Sequence, residues 1–506
     1  KKAEILSGVI KREKSYGYFL SNFLEKLNNI ELAKDLENIF EKIMQCKEKS
    51  DDISINKNFP MLREYQKIGV QWLLFLRKLG MGGILADDMG LGKTLQIISY
   101  LSAIKEKTGL KLIIVPKTLM YNWRNEFKKF APELNVNIVE GKAPIRKEIV
   151  ENSKSGDILI STYGFLVKDE EFYKDIFIDT LIIDEAQNIK NFLSRTADSV
   201  KKIKAGIRIA LTGTPIENNT LELWSIFDFV FPGYLGKHTK FLNKYNENLK
   251  DLREMIAPFI LRRLKREVLK ELPDKIETDI IVELGEDEKK LYLAYLEKCK
   301  KELREKNNSL EIFVWLTRLR QLCNHPKLFL ADYDGESSKL EALLELLEEC
   351  KSGGHRVLLF SQFTEMLSII KENIPKDMTY LYLDGKTKSE HRMELVERFN
   401  SGEGDIFIIS LKAGGSGLNL TGADTVIHFD PWWNSSVENQ ATDRAYRMGQ
   451  TKNVNVFKMI AKGTIEEKIN IIKDEKEKLI REILDEKQEN IISMTKKDIL
   501  ELLSVK

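Results

Sequence analysis

Two short stretches of the chain carry residue types suited to chemistry on phosphate. Asp87–Thr94 reads DDMGLGKT, directly after the apolar run Gly83–Ala86 and directly before a stretch with helical spacing. A strand that turns through glycines into a helix lets backbone N–H groups wrap phosphate oxygens. Gly90 and Gly92 supply the backbone freedom, and Asp87, Met89 and Leu91 complete the loop. Lys93 is placed to reach β- and γ-phosphates, Thr94 offers a hydroxyl to Mg²⁺, and the helix N-terminus adds positive potential. The general pattern has Gly where Asp87 stands, so this loop is a variant. Leu181–Gln187 reads LIIDEAQ: an apolar strand delivering two carboxylates to its C-terminal end, where α/β proteins keep their ligands. Asp184 is expected to hold Mg²⁺ and Glu185 to polarise an attacking water. A surface acidic turn would also read Asp-Glu, but the loop upstream argues for a shared site.

These residues need a scaffold, and the apolar pattern provides one. Gly83–Ala86, Leu112–Val115, Ile158–Ile160, Leu181–Ile183 and Ile209–Leu211 are continuous apolar runs, as strands covered on both faces should be. Helical stretches between them predict a parallel sheet with crossover helices. From about Glu222 to Asp332 the pattern turns mostly helical and charged. The alternation then restarts with Val357–Phe360, Tyr380–Leu383, Ile406–Ile409, Val426–Phe429 and Val454–Met459. The chain therefore reads as α/β, with two parallel-sheet lobes in tandem and helical insertions between them. The expected divisions are a helical segment and linker over 1–58, lobe one over 59–233, a helical insertion over 234–335, lobe two over 336–464 and a helical brace and tail over 465–506. Phe19, Leu24, Leu27, Leu32, Leu36, Phe40 and Ile43 give the first segment helical spacing, and Ser50–Asn58 reads as its linker.

Composition excludes several classes. At 506 residues the chain exceeds one core and must divide. Its 42% apolar and 31% charged content suits a globular protein. No apolar run reaches the ~18 residues that span a bilayer, so no membrane role is expected. A net charge of +2 means that any basic surface is local. The four cysteines are scattered, as in a reduced compartment, and Cys323 with His325 lacks a second ligand pair for zinc, so core packing is expected there. The chain opens on Lys rather than Met, which reads as a fragment of something longer.

Taken in order, the motifs resemble those of helicase superfamily 2, and specifically the Swi/Snf-type DNA translocases with their bacterial relatives. The matching stretches are LREYQKIGVQWL from Leu62, DDMGLGKT, LIIVPKTLMYNW from Leu112, ISTYG from Ile160, DEAQ, LTGTPIEN from Leu211 and LELWSIFDFVFPGYLG from Leu221. FILRRLKREVLKELPDK from Phe259 and LRQLCNHPKL from Leu319 follow, and these mark the translocase branch. The second lobe adds RVLLFSQF from Arg356, YLDGKTK from Tyr382, SLKAGGSGLNLTGADTVIHFDPWWN from Ser410 and QATDRAYRMGQ from Gln440. The likeness runs from about Leu62 to Ile469. Gln187 stands where His is common, Asp88 where Glu is usual, and Ser435–Ser436 where Pro is usual.

The resemblance implies two RecA-like lobes and an ATPase driven by duplex DNA, with ATP and Mg²⁺ as cofactors. It implies that Gln66 reads adenine with Arg63 nearby, that Thr212, Gly213 and Thr214 couple the phosphate site to DNA, and that Arg444 and Arg447 act as arginine fingers. Guanidinium forks suit the charge of a transferring phosphoryl group, and the Arg-x-x-Arg spacing predicts one helix face for both. For DNA it implies Lys117, Thr118, Asn122, Trp123, Thr162 and Tyr163 in lobe one, with Gln362, Lys386, Thr387, Lys412, Gly414, Gly415 and Trp433 in lobe two. Core packing competes for both tryptophans. The cluster Arg262, Arg263, Lys265 and Arg266 reads better as a brace of the helical insertion built on ion pairs than as a DNA contact. Expected partners are double-stranded DNA and DNA-bound proteins, RNA polymerase among them; the chain is expected to be a monomer in the cytoplasm, on the bacterial nucleoid, or in the nucleus if eukaryotic. The alternatives are a strand-separating DNA or RNA helicase, and a scaffold with a dead motor.

Overall fold

The computed structural model describes residues 42–47, 59–104, 109–214, 220–245, 249–269, 271–305, 309–330, 332–414, 418–433, 435–447 and 449–471. Most of the expected N-terminal helices, the linker at Ser50–Asn58 and the C-terminal helix beyond 471 lie outside these residues. So does Gly415. The chain divides into two compact units between residues 270 and 271.

In the first unit the strands are β1 (Gly83–Leu85), β2 (Lys111–Val115), β3 (Val136–Ile138), β4 (Ile158–Thr162), β5 (Ile178–Ile183), β6 (Ala205–Leu211) and β7 (Ile260–Leu261). They form one sheet in the order β3-β4-β2-β5-β6-β1-β7, with every pairing parallel. Every residue of β1, β2 and β4 is buried, because helices cover both faces. In the second unit β8 (Lys275–Val282), β9 (Val357–Ser361), β10 (Tyr380–Leu383), β11 (Ile406–Ser410), β12 (Thr425–His428) and β13 (Val454–Ala461) form a second parallel sheet, β10-β11-β9-β12-β13-β8. One apolar cluster on this sheet includes Phe360, Phe399, Phe407 and Val426, and another includes Leu343, Met366, Ile370 and Phe429.

The stretch expected to be a helical insertion holds two strands as well. β7 joins the first sheet and β8 the second. Neither shows a long apolar run: β7 has two residues, and β8 is an edge strand whose side chains are mostly exposed. The two long helices of this stretch, Glu286–Glu305 and Ser309–Asn324, pack a separate core from Tyr292, Leu296, Cys299, Trp315, Leu319 and Cys323, closed by Ala461, Ile465 and Ile469. Cys323 thus sits among apolar side chains, where burial raises its thiol pKa. His325 Nδ1 accepts from the Lys327 N–H at 3.1 Å, capping the next turn.

Candidate nucleotide site and the surfaces around it

β5, β6 and β1 are neighbours, so their C-terminal ends carry Asp184, Thr212 and Asp87 side by side. The phosphate loop leaves β1 through Gly90 at φ 81° and Gly92 at φ 76°, both left-handed, and Gly92 opens the helix Lys93–Ala103. Lys93 Nζ is held by the loop's own carbonyls, Asp87 O at 2.5 Å and Asp88 O at 3.3 Å. A methyl added at Gly213 would lie 3.9 Å from that Nζ and 3.4 Å from Met89 Cγ, so the Thr212–Thr214 turn abuts the loop. Leu91 is buried; Met89, Gly90, Lys93 and Thr94 are half-buried. Gln66 and Tyr65 both donate to Leu91 O at 3.1 Å, and Gln66 Oε1 accepts from the Arg63 N–H at 3.0 Å, which closes the start of the helix Glu64–Lys78 around the loop. Asp87 is fully buried, and its carboxylate turns inward to Arg263 and Gln96, leaving its backbone carbonyl to Lys93.

The acidic pair is placed by backbone geometry. Glu185 has φ 50° and ψ 60°, the one left-handed non-glycine among the described residues. Strain of this kind survives only where surrounding contacts enforce it, and it aims the side chain. Those contacts are visible. Asp184 Oδ1 accepts from the Glu185 N–H at 2.9 Å, Asp184 Oδ2 from Trp123 Nε1 at 2.8 Å, and Asp184 O from the Tyr163 hydroxyl at 2.7 Å. Burial pushes the Asp184 carboxyl above the usual carboxylate range, and the Glu185 charge adds to this. Glu185 accepts from Gln187 Nε2 at 2.8 Å, Gln187 Oε1 from the Thr212 hydroxyl at 3.1 Å, and Thr212 Oγ1 from the Thr214 N–H at 3.0 Å. Gln187, standing where the resemblance expects His, thus bridges Glu185 and Thr212.

The residues expected on the DNA path separate into exposed and internal groups. Lys117 and Thr118 are exposed on the turn after β2, and Asn122 is half-buried on the helix Met120–Phe130. Trp123, expected beside them, is fully buried and donates to Asp184; its spacing on the helix turns it to the core face. Thr162 caps the helix Tyr163–Lys168 by accepting from the Phe165 N–H at 3.2 Å. In the second unit Lys386, Thr387, Gln362, Lys412, Gly414 and Trp433 all follow the C-terminal ends of their strands, along one edge of the sheet. Lys386 and Lys412 are exposed; the Lys386 and Thr387 amides are held by Asp384 at 2.9 Å and 3.2 Å. The Gln362 amide donates to buried Asp430 at 3.1 Å, and Trp433 lies half-buried under Arg320, whose guanidinium is 5.8 Å from its ring. A Cβ at Gly414 would meet Phe360 at 2.7 Å, so only glycine fits there. Trp432 and Trp433 lie just ahead of the helix Ser435–Thr442, and the Trp432 amide donates to Glu438 at 2.6 Å.

Arg444 and Arg447 do not share a helix face. That helix ends at Thr442, and the chain tightens into turns through Arg444 N→Ala441 O and Ala445 N→Thr442 O, both 3.1 Å. Arg444 is buried, with Nε donating to Gly414 O at 2.9 Å. Arg447 is half-buried, with Nη1 donating to Leu418 O at 3.1 Å. Sequence reasoning missed Tyr65 and Gln96 as supports of the loop, and Arg263, expected to brace the helical insertion through ion pairs, is ion-paired to Asp87 of the loop instead.

The profile of the SNF2-related domain matches residues 65–328 and that of the helicase conserved C-terminal domain matches 338–449. An uncharacterized ATP-dependent helicase of Mycoplasma pneumoniae is 40% identical over 95% of this chain and 49% of its own length. A putative ATP-dependent helicase/translocase of Bacillus subtilis, YwqA, is 40% identical over 90% of this chain and 52% of its own. The chain spans about half the length of the curated relatives it matches. The solved Sulfolobus solfataricus SWI2/SNF2 ATPase core in complex with dsDNA is 36% identical, covering 84% of this chain and 92% of that one, at a TM-score of 0.42. With the SNF2-related profile covering more than half of its residues and the helicase C-terminal profile following in order, the chain belongs to the Swi/Snf-type family of helicase-like ATPases.

Proposed function

We propose that this chain hydrolyses ATP in its first lobe when duplex DNA lies across both lobes, and that each cycle moves it along the duplex and displaces bound protein. The observation that carries this reading is the bonded path Glu185–Gln187–Thr212–Thr214 at the mouth of the phosphate loop, which links a water-activating carboxylate to the turn beside Lys93. Lys93, freed from its carbonyls, neutralises the β- and γ-phosphates; Gln66 and Arg63 receive the adenine; Glu185 takes the proton of the attacking water. Thr94 and Asp184 would hold Mg²⁺. Both are hard oxygen donors, and a buried carboxylate pushed toward neutrality is one that a cation holds ionised. Bound there, the ion would neutralise phosphate charge. Arg447, with Arg444, supplies the guanidinium charge from lobe two. Exposed Lys117, Thr118, Lys386 and Lys412 meet phosphodiester oxygens, which carry no sequence information.

The relatives' names, helicase and helicase/translocase, support motor activity and leave strand separation as the competing outcome. Steady-state ATPase assays on random duplex, defined duplex, single-stranded DNA and RNA decide between them, together with displacement of a triplex-forming strand and of a forked duplex. Matching stimulation by both duplexes, falling with salt, and triplex displacement without fork opening are the expected results. Stimulation by single strands or RNA alone, or efficient fork opening, would overturn the translocase reading.

A further inference from the structure

The first position of the phosphate loop departs from the general pattern, and the side chain found there explains what the departure does. A Gly at this position makes no side-chain demand. Asp87 is fully buried and must be paired, since an isolated buried carboxylate is strongly disfavoured. Its partner comes from far along the chain. Arg263 donates Nε to Asp87 Oδ1 at 2.8 Å and Nη2 to Asp87 Oδ2; Nη2 also donates to Gln96 Oε1 at 2.9 Å, and Nη1 to Tyr65 O. Gln96 closes the ring by donating to Asp87 Oδ2 at 3.0 Å, and the Tyr65 hydroxyl reaches back to Leu91 O within the loop. Gly69 makes room for this: a Cβ there would lie 2.0 Å from Gln96 Oε1 and 2.9 Å from Arg263 Nη2.

The segment carrying Arg263 is the one by which the chain leaves the first unit before entering the second at Glu271. It lies along β1 and the loop in continuous backbone register. Ile84 and Leu85 pair with Ile260 and Leu261, Ala86 N donates to Leu261 O at 2.7 Å, Asp88 N to Arg263 O at 3.0 Å, and Lys265 N to Asp88 Oδ2 at 3.0 Å. Upstream, Trp72 Nε1 holds Pro258 O at 3.2 Å and Lys47 Nζ holds Ile260 O at 2.6 Å. The phosphate loop and the exit segment are thus bonded along their shared length.

Stability alone is a weak reason for such a pair. A buried ion pair replaced by apolar groups of similar volume is often neutral or stabilising, whereas removal of one partner is costly. The pair does something an apolar contact would not: it makes the position of Asp87 depend, through directional bonds, on a segment outside the loop.

We propose that Arg263 is a positioning residue for the nucleotide site: by gripping Asp87 and Gln96 it ties the phosphate loop to the segment leading into the second lobe, so that nucleotide binding in the loop is passed to that segment. The proposal rests on the reading of Asp87–Thr94 as the ATP site. Hydrogen–deuterium exchange on the whole chain, with and without a non-hydrolysable ATP analogue, separates the two. The expected result is slowed exchange both in residues 87–94 and in residues 260–269. Slowing in 87–94 alone overturns the proposal; no change in either stretch overturns the ATP-site reading on which it rests. Arg263→Lys keeps a positive charge but, with a single nitrogen, cannot serve Asp87, Gln96 and Tyr65 together; it should weaken analogue binding at least ~10-fold. The double variant Asp87→Gly/Arg263→Leu removes both charges and returns the loop to the general pattern. At analogue concentrations raised to saturate it, it should slow exchange in 87–94 only. A double variant that still transmits the change to 260–269 shows the pair to be structural and refutes the proposal.

Discussion

Glu185 is the residue whose environment says most about turnover. A non-glycine held at φ 50° next to a buried carboxylate is strained backbone, which accords with the role proposed for Glu185 as the group that activates water. Glu185→Gln removes the proton acceptor but keeps the shape and the bond to Gln187. Nucleotide binding should persist in an equilibrium titration while turnover falls at least ~10²-fold; normal turnover in the purified variant would show that the carboxylate has another role. Gln187 tests the path outward. Gln187→Ala cuts the bonds to both Glu185 and Thr212, so DNA stimulation of turnover should fall several-fold more than basal turnover does. Equal losses with and without DNA would remove Gln187 from the coupling path. Trp123 teaches a different lesson: an aromatic side chain expected on a DNA surface donates instead to the Asp184 carboxylate from within the core.

Edge elements carry the joints of the molecule. β7 ends the first sheet and β8 ends the second, and between them the chain passes from one unit to the other. β8 is mostly exposed, so its attachment to β13 depends on backbone pairing over its whole length and on charge. Burial raises the pKa of Glu277, but Lys275 and Lys458, the latter bonded at 2.6 Å from β13, outweigh it and hold the carboxyl at about 2. The folded value is depressed below the ordinary 4.5, so the interaction contributes stability above that value and loses it as pH falls toward 2. Because the group is about a third exposed, screening reduces the effect to about 1 kcal/mol. Glu277→Gln should therefore lower stability by about that amount near neutral pH in chemical denaturation, with the difference shrinking at acid pH. A difference constant down to low pH would mean that the loss is one of packing.

Across the whole molecule the proposed reaction needs groups from both units: Lys93, Thr94, Asp184 and Glu185 from the first, and Arg444 and Arg447 from the second. DNA touching both lobes would favour whichever arrangement satisfies both sets of contacts. An arginine finger is worth roughly 10³–10⁵ in rate, so its placement on DNA binding would stimulate turnover strongly. The two arginines should not behave alike. Arg444 is buried and holds Gly414 O, so Arg444→Ala should cost folding stability as well as activity. Arg447 is half-buried, and Arg447→Ala should bind DNA and nucleotide nearly normally while losing DNA-stimulated turnover. Full stimulation in that variant would exclude it as a finger.

The sequence alone determined the parts whose signal is local. Buried central strands are continuous apolar runs because both faces are covered, so β1, β2, β4, β5, β6 and the central strands of the second lobe were legible, and with them the α/β class and the two lobes. The phosphate loop was legible because glycines at left-handed positions and a lysine at the helix start must be adjacent in the chain. Only the tertiary structure decided what depends on distant segments. β7 is short and β8 largely exposed, so neither carries the long apolar run of a central strand, and their membership in a sheet is set by the neighbour they meet. The turn that separates Arg444 from Arg447 depends on where a helix stops, which spacing alone leaves open. Asp87 looked like a loop residue with an unusual side chain; that it is buried and gripped by Arg263 is a fact about two segments brought together by folding, and no local pattern encodes it.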